Sequence, residues 1–181
     1  MKPLGLALKT FAKEKNAVHV VIETPKCSRI KYAYDFKSGL MRVRRALPEG
    51  MMFPFNFGFI PGTLGDDGDP LDILILNEEP LMSGCFLVAR LVAVIEAKQI
   101  EDGKATRNDR LVGTTFATET PTELETMGLT PKSEAEIERF FMNYNQLDGK
   151  KFKVLGRSGT KKAKKMVRAG VKRFEKEGAK A

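Results

Sequence analysis

Short runs of alternating apolar and polar residues dominate the first two thirds of the chain. In the segment VHVVIE, Val18, Val20 and Ile22 fall on one face of an extended strand, because side chains in a strand point alternately to opposite faces. This alternation, or an unbroken apolar run, predicts strands at 18–23, 29–34, 40–47, 71–76, 86–97 and 110–117. Short connections between elements that are mostly β favour a small closed or partly closed barrel.

Two segments between these strands lack a regular pattern and are predicted as loops. The segment MMFPFNFGFIPGTL (51–64) is rich in Phe, Pro and Gly, which favours a loop packed through its aromatic side chains. The segment KQIEDGKATRND (98–109) is mostly polar and is interpreted as a connection between two strands.

The last third of the chain changes to a helical period. Thr130-Pro131 has the residue types of an N-cap followed by the first helical position. An apolar stripe at i, i+3, i+4 and i+7 follows it, and Gly149 ends the helix. The stripe consists of Ile137, Phe140, Phe141 and Tyr144. A second helix is predicted over about 160–178, with one apolar face and an opposite face of Lys and Arg. The predicted fold class is mainly β with two flanking C-terminal helices (α+β).

Composition limits the class of protein. A chain of 181 residues, 42% hydrophobic and 30% charged, is expected to form one globular domain over 1–181. No apolar stretch is long enough to cross a bilayer, and the N-terminal segment does not have the pattern of a signal peptide. Cys27 and Cys85 are interpreted as free thiols in a reducing compartment, which predicts a cytoplasmic protein without membrane partners.

The balance of charge points to an anionic partner. The chain has 31 Lys+Arg against 23 Asp+Glu, a net charge of +8, and such an excess favours binding of phosphate compounds or other polyanions. Much of the excess lies in 150–180. The simplest interpretation of Lys161, Lys162, Lys164 and Lys165 is a solvated helix face.

The segment GDDGDPLDIL (65–74) carries the densest negative charge. Asp67 and Asp69 can share a face of extended chain, and Asp72 can return to the same place from the start of the following strand. Three carboxylates held together suit a hard cation such as Mg²⁺ or Mn²⁺. An EF-hand loop is excluded, since its sixth position would be Asp72 instead of glycine. The alternative is a solvated acidic turn.

The motif DGDPLD resembles the signature of the soluble family I inorganic pyrophosphatases. The resemblance runs from about Val18 to Lys151 and includes VIETP, IKY, the Ser38-Gly39 turn before Arg45, FPFNFGFIPGTL and FFMNY. It implies a five-stranded OB-like barrel with flanking helices, Mg²⁺-dependent hydrolysis of inorganic pyrophosphate to two phosphates, and a cytoplasmic homo-oligomer, a hexamer in bacterial members.

The resemblance also implies roles for individual residues. Asp67 and Asp72 match metal ligands, with Asp72 able to bridge two ions, and Glu23 matches an acidic residue at the rim of the metal site. Asp69 matches the carboxylate that helps to deprotonate the attacking water. The positions that match phosphate-binding side chains are Lys31, Arg45, Arg110 and Tyr144. Arg42 and Arg44 are interpreted as surface or subunit contacts.

Several positions depart from the family pattern. Ala33 replaces a glutamate, Phe57 a tyrosine and Asn145 a lysine. Asn108 falls on an expected aspartate ligand, with Asp109 as the alternate ligand. Another expected aspartate maps to Gly103 without a gap or, with a small gap, to Asp102, which we prefer because glycine has no side chain to bind metal. Fewer carboxylates predict weaker binding of the later metal ions.

Two classes of function fit the sequence. The first is a metal-dependent inorganic diphosphatase. The second is a non-catalytic OB-like module that binds RNA or another polyanion through its basic C-terminal helix. Nucleic acid is the less favoured partner, because the aspartates at 67, 69 and 72 would repel a phosphate backbone unless they held metal.

Overall fold

The computed structural model describes residues 8–115 and 129–178, and these residues form nine strands and two helices. In chain order the elements are β1 (Ala17–Thr24), β2 (Ile30–Asp35), β3 (Leu40–Ala46), β4 (Asn56–Phe59), β5 (Asp72–Leu76), β6 (Phe86–Glu101), β7 (Lys104–Arg107), β8 (Arg110–Thr115), α1 (Pro131–Gln146), β9 (Lys151–Gly159) and α2 (Thr160–Gly178). The end of the predicted strand 110–117 lies outside the described residues. Neither of the two helices in these residues combines the length and the apolar character of a membrane span.

Five of the strands pair into a closed ring. The order around it is β1, β4, β5, β8 and β6, and β6 pairs back with β1. All of these pairings are antiparallel except β5 with β8. The short β7 and the longer β9 extend the sheet from β6, while β2 and β3 form a separate two-stranded ribbon. The ring confirms the predicted OB-like arrangement, with mainly β structure and two helices.

Strand β5 divides the apolar core because both of its faces are buried. Ile73 and Ile75 point into a cluster that includes α2 residues Ala163 and Val167. Leu74 and Leu76 point into a second cluster against α1, which includes the predicted helix stripe. By the period of two, Asp72 belongs to the face of Leu74 and Leu76, which is the α1 side. The start of this strand therefore presents a carboxylate beside α1.

Helix α1 begins as predicted. The Thr130 side chain accepts a hydrogen bond from the Ser133 backbone N–H, and the Ser133 side chain bonds back to the Thr130 backbone N–H. This reciprocal pair satisfies two donors at the helix start, and Pro131 follows the cap. Ile137, Phe140 and Phe141 are buried and Tyr144 is half-buried, so the apolar stripe is confirmed.

Three elements differ from the sequence predictions. The segment 51–64 contains strand β4, whose four residues are all buried, so no alternation of apolar and polar residues marks it. Gly58 is required there, since a Cβ would lie 2.2 Å from the backbone oxygen of Val21. The polar segment 98–109 forms the end of β6 and β7. Strand β9 was not predicted, because its segment was interpreted only as part of the basic run, although Lys151 to Val154 alternate between exposed and more buried positions.

Candidate active site

One pocket, about 670 Å³ in volume, opens where the ribbon, the ring and α1 meet. Its walls come from β1, the β2–β3 ribbon, the acidic loop before β5, the β6–β7 hairpin and the end of α1. Most of the predicted site residues line it, namely Glu23, Lys31, Asp67, Asp69, Asp72, Asn108, Arg110 and Tyr144. Distant segments of the chain thus bring both signs of charge to one cavity.

Asp72 and Arg110 form an ion pair inside this pocket. The Arg110 Nη1 donates a hydrogen bond to the Asp72 Oδ2, across the parallel pairing of β5 with β8. The guanidinium also lies 5.8 Å from the ring centroid of Phe57 and 5.1 Å from that of Phe141. Its Nε is buried and has no hydrogen-bond partner. Arg110 therefore keeps an unused donor inside the pocket.

The loop that carries Asp67 and Asp69 is exposed and tightly folded. The backbone N–H of Asp69 donates to the Asp67 Oδ1 at 3.2 Å, and the Gly65 N–H donates to the Asp69 carbonyl at 2.6 Å. Gly68 adopts φ +89°, a value that favours glycine. We call Glu23, Asp67, Asp69 and Asp72 the acidic wall of the pocket.

Helix α2 holds this loop from behind. Arg173 donates from Nε to the Leu64 carbonyl at 2.8 Å, and its Nη1 lies 3.3 Å from the Asp66 carboxylate. Leu64 also donates its N–H to the Gly170 carbonyl. A Cβ on Gly170 would lie 2.7 Å from the Leu71 side chain, so this glycine permits the helix to approach closely. The basic helix thus has a structural contact with the acidic segment.

Burial and like charge act together on the acidic wall. Burial is the main cause that raises the pKa of Glu23 to about 7, and the carboxylates of Asp72 and Asp69 add to the rise. The Tyr34 backbone N–H and the Lys31 ammonium oppose it. The pKa of Asp72 is raised as well, mainly by burial, although Arg110 and Lys31 lower it. Both carboxyl groups would be stabilised in their charged form by an additional cation.

Lys31 and Tyr144 line the pocket near α1, and Arg45, which does not border the cavity, lies beside them. The Lys31 Nζ lies 5.4 Å and the Arg45 guanidinium carbon 4.4 Å from the ring centroid of Tyr144. Arg45 also forms an ion pair of 2.5 Å with Asp148. The Nε and Nη2 of Arg45 are buried without a hydrogen-bond partner. Buried donors without partners are costly, so these atoms mark a place for an acceptor-rich ligand.

Two neutral side chains line the pocket beside Arg110. The Asn108 Nδ2 donates to the Gln99 Oε1 at 2.9 Å, and both residues border the cavity. We call this pair the amide wall. Asp109 turns elsewhere, because its Oδ1 accepts from the Ala97 N–H at 2.9 Å and pairs with the Arg107 Nε at 2.6 Å.

Comparison with known proteins gives one consistent result. The family model described as inorganic pyrophosphatase matches residues 20–175. The inorganic pyrophosphatase of Thermus thermophilus is 35% identical over 167 residues, which is 90% of this chain and 93% of the relative. That of Aeropyrum pernix is 35% identical over 164 residues, covering 88% of this chain and 91% of the relative.

This chain belongs to the inorganic pyrophosphatase family. Solved structures agree with the assignment. The crystal structure of the Thermus thermophilus inorganic pyrophosphatase superposes with a TM-score of 0.81 at 32% identity, covering 93% of this chain and 97% of that one. The Helicobacter pylori enzyme gives a TM-score of 0.81 at 31% identity, covering 93% and 98%. These results give no support to the non-catalytic, polyanion-binding alternative.

Membership of the family implies dependence on a divalent metal, and the acidic wall fits such an ion. Its oxygen donors are the kind that hard cations prefer, and a cation would offset the effects that raise the pKa of Glu23 and Asp72. Within the described residues, however, no three carboxylate, His or Cys side chains converge into a ready-made metal cluster. Instead Arg110 neutralises Asp72 directly.

The structure does not bring Asp102 to the pocket of this pyrophosphatase. Asp102 and Gly103 form the tip of the β6–β7 hairpin with φ values of +48° and +76°, and Asp102 is not among the residues that border the cavity. Positive φ at both positions is typical of an Asp-Gly hairpin turn. The dipeptide is thus a turn signal, whereas the sequence prediction preferred Asp102 as a metal ligand by allowing a small gap in the loop.

Arg44 and Gln99 border the pocket but were not among the predicted site residues. Gln99 was hidden by the interpretation of 98–109 as a loop. Arg44 was assigned to the surface because simple alternation sets it on the face opposite Arg45. A bulge opposite Lys31 and Tyr32 disturbs the alternation, since these residues pair with Arg45 and Val43 and leave Arg44 unpaired. No local pattern in the sequence shows such a bulge.

Proposed function

We propose that Mg²⁺ is the metal with which this pyrophosphatase hydrolyses inorganic pyrophosphate to two phosphates, with Mn²⁺ as an alternative metal. The observation that carries the proposal is the arrangement of charge in the pocket. Carboxylates suited to hard cations line the pocket together with Lys31 and Arg110, and Arg45 lies beside it against Tyr144. Both arginines keep buried donors without hydrogen-bond partners. Pyrophosphate with bound metal has the matching set of acceptor oxygens and positive ions.

The acidic wall would hold the metal through Asp67, Asp72 and Glu23. When bound, the metal supplies positive charge that neutralises the phosphates and favours deprotonation of the attacking water. Asp69 is exposed on the neighbouring loop and makes no ion pair with another described side chain. This freedom suits it to accept the proton of the water as the new P–O bond forms.

The cations have the complementary role of binding the phosphate groups. Lys31, Arg45 and Arg110 would donate to phosphate oxygens, and Tyr144 would add a hydrogen bond from its hydroxyl. In the structure the Nη1 of Arg45 is paired with Asp148, and the Nη1 of Arg110 is paired with Asp72. Substrate would use the donors that these carboxylates leave open. Fixed cations then stabilise the charge on the leaving phosphate as the bridging P–O bond breaks.

The contacts that Asn108, Asp109 and Asp102 make in the structure reduce the number of candidate metal ligands. Asn108 is the candidate ligand of the amide wall, although it offers only a neutral oxygen and is bound to Gln99. Asp109 is already paired with Arg107 and Ala97, so we do not retain it as the alternate ligand. Asp102 is likewise not retained, because it lies at the hairpin tip.

We also propose that residues 1–181 act as one domain in a cytoplasmic homo-oligomer, with a hexamer as the expected form. Large apolar side chains on the surface support subunit contacts. They include Leu40, Val43, Met82 and Phe86, of which Met82 is 79% exposed. Such side chains are stabilised when a second subunit covers them.

Release of phosphate from pyrophosphate tests the proposal. We expect release with Mg²⁺, weaker or comparable release with Mn²⁺, and none after chelation. Lys165→Ala provides a control, since Lys165 is exposed on α2 and does not border the pocket. Absence of phosphate release across a wide range of both metals, from protein with the native fold, would refute the assignment of the reaction.

A further inference from the structure

The acidic loop, residues 60–71, is closed at its base by hydrogen bonds between its two ends. Ile60 donates its N–H to the Leu71 carbonyl at 3.0 Å, and Leu71 donates its N–H to the Thr63 hydroxyl at 3.0 Å. The same hydroxyl donates to the Ile60 carbonyl at 2.6 Å. The aspartates between these ends are exposed. The base of the loop is therefore fixed, whereas the direction in which its tip points needs a further contact.

Helix α2 meets the loop at a glycine in the interior of the helix. Gly170 is buried, and its carbonyl accepts a hydrogen bond from the Leu64 N–H at 3.1 Å. A Cβ at this position would lie 2.7 Å from the Leu71 Cδ1 and 3.2 Å from the Thr63 Cβ. Glycine is unfavourable inside a helix, so its presence here is explained by the close approach of the helix to the loop.

Arg173 lies three residues further along α2 and adds a charged contact to the same loop. Its Nε donates to the Leu64 carbonyl at 2.8 Å, and its Nη1 lies 3.3 Å from the Asp66 Oδ1. The N–H groups of a guanidinium form a rigid fork, so contacts with two acceptors also fix its orientation. Arg173 therefore joins the helix to the loop at two points, just before the aspartates that border the pocket.

The same arginine distinguishes two neighbouring aspartates. Asp66 is paired with Arg173 and does not border the pocket, whereas Asp67 does. A turn of the loop that brought Asp66 into the pocket would separate it from the guanidinium. An exposed ion pair of this kind contributes little to the stability of the whole protein. Its effect is therefore expected in the direction of the loop, which determines the aspartate that faces the pocket.

We propose that Arg173 is a positioning residue that holds the acidic loop with Asp67 and Asp69 directed into the pocket. The inference rests on the proposed function, in which Asp67 holds metal and Asp69 accepts a proton. Arg173 does not border the pocket, so it acts through Leu64 and Asp66. Binding of metal by Asp67 would favour the same direction of the loop. A high metal concentration should therefore offset the loss of Arg173.

Titration of the protein with Mg²⁺ and with Mn²⁺ in a calorimeter, without substrate, is the first measurement. Arg173→Ala should weaken metal binding about tenfold, as expected if the loop then has the binding geometry about a tenth of the time. Arg173→Lys should bind metal nearly as weakly, because it keeps the charge and loses the rigid fork. Arg168→Ala is the matched control and should retain wild-type affinity, since Arg168 is exposed on the same helix and does not border the pocket.

Gly170→Ala tests the contact between helix and loop without a change of charge. The added methyl group requires the side chains of Leu71 and Thr63 to shift, so metal affinity should fall several-fold. Alanine favours a helix more than glycine does, so stability should not fall in parallel. Urea unfolding with chelator measures the folded fraction of each variant. Unchanged metal affinity in both Arg173→Ala and Gly170→Ala, or losses that the unfolded fraction explains, would overturn the proposal.

Pyrophosphate hydrolysis against Mg²⁺ concentration completes the test. Arg173→Ala should need about tenfold more Mg²⁺ for half-maximal activity and reach nearly the wild-type kcat at saturation. A kcat that stays low at saturating Mg²⁺, or full recovery of metal affinity in Arg173→Lys, would overturn the positioning role while the proposed function stands. Absence of hydrolysis by the wild type would refute the proposed function, and the metal titrations would still decide whether Arg173 holds the loop.

Discussion

The acidic wall and the amide wall border the same pocket, but they differ in charge and in how they are held. The acidic wall has four carboxylates, and two of them have a raised pKa because of burial and like charge. The amide wall has Gln99 and Asn108, which satisfy each other without any charge. The first wall is therefore stabilised by a cation, whereas the second is already complete.

Arg110 lies between the two walls and supplies positive charge there. It follows Asn108 by two residues and binds Asp72 of the acidic wall. A fixed guanidinium thus contributes positive charge in a region where the amide wall, which has only neutral oxygens, attracts a metal ion less strongly than carboxylates do. Since each additional metal site needs anionic oxygens, we expect cation binding to be concentrated on the acidic wall.

The largest expected effects separate two members of the acidic wall. Asp72→Asn should lower kcat on the order of 10³-fold and also weaken metal binding, because Asp72 is the buried carboxylate proposed to hold the metal. Asp69→Asn should lower kcat on the order of 10²-fold and retain metal affinity, because its proposed role is to accept a proton. Metal titration calorimetry alongside turnover measures both. Equal loss of metal affinity in the two variants would make Asp69 a ligand instead of a base.

A second prediction concerns the pH dependence of stability in metal-free protein. The pKa of Glu23 is about 7 in the folded state against an ordinary value of 4.5. Between these values the folded protein binds more protons than the unfolded chain, so the free energy of unfolding falls as pH rises and levels off above about 7. The titration of Glu23 accounts for a decrease in the free energy of unfolding of at most roughly 3 kcal/mol over this pH range, and Glu23→Gln should remove it.

Urea unfolding at about pH 5 and about pH 7.5, with chelator present, measures this decrease. Asp72, whose pKa is also raised, acts in the same direction, so some slope should persist in Glu23→Gln. Glu138→Gln, at an exposed position on α1, is the control. An identical slope in the wild type and Glu23→Gln would mean that Glu23 is charged throughout, held by Lys31 and the Tyr34 N–H.

The smallest expected effect comes from adding charge to the amide wall. Asn108→Asp should tighten divalent-metal binding by about tenfold and lower the Mg²⁺ concentration needed for activity, because a carboxylate attracts a hard cation more strongly than an amide does. Asp109→Asn is the matched control at the adjacent position, and it should leave metal affinity unchanged while weakening the contacts with Arg107 and Ala97. Unchanged affinity in Asn108→Asp would show that position 108 does not reach the metal.

Most of the fold and the acidic half of the site could be predicted from local sequence. The N-cap at Thr130 and the stripe from Ile137 to Tyr144 are short-range signals, and both are present in the structure. The spacing of Asp67, Asp69 and Asp72 before a buried strand likewise indicated one wall of a pocket. These features depend on residues a few positions apart, so a single segment contains the information.

Other features depended on tertiary pairing. The hairpin of β6 and β7 sets Gln99 beside Asn108 and moves Asp102 to the turn, although the polar segment has no apolar period to reveal the register. The bulge that directs Arg44 to the pocket exists only through the pairing of β3 with β2.

The sequence by itself determined which charged residues the protein has and where the helices and most strands lie, because periodicity, capping and turn residues act locally. Tertiary structure decided which charges meet. Arg110 reaches Asp72 through parallel pairing of β5 with β8, and Arg173 holds the acidic loop from a helix that lies more than a hundred residues further along the chain. Such contacts follow from strand register and helix packing, which are set by the whole core and not by any one segment.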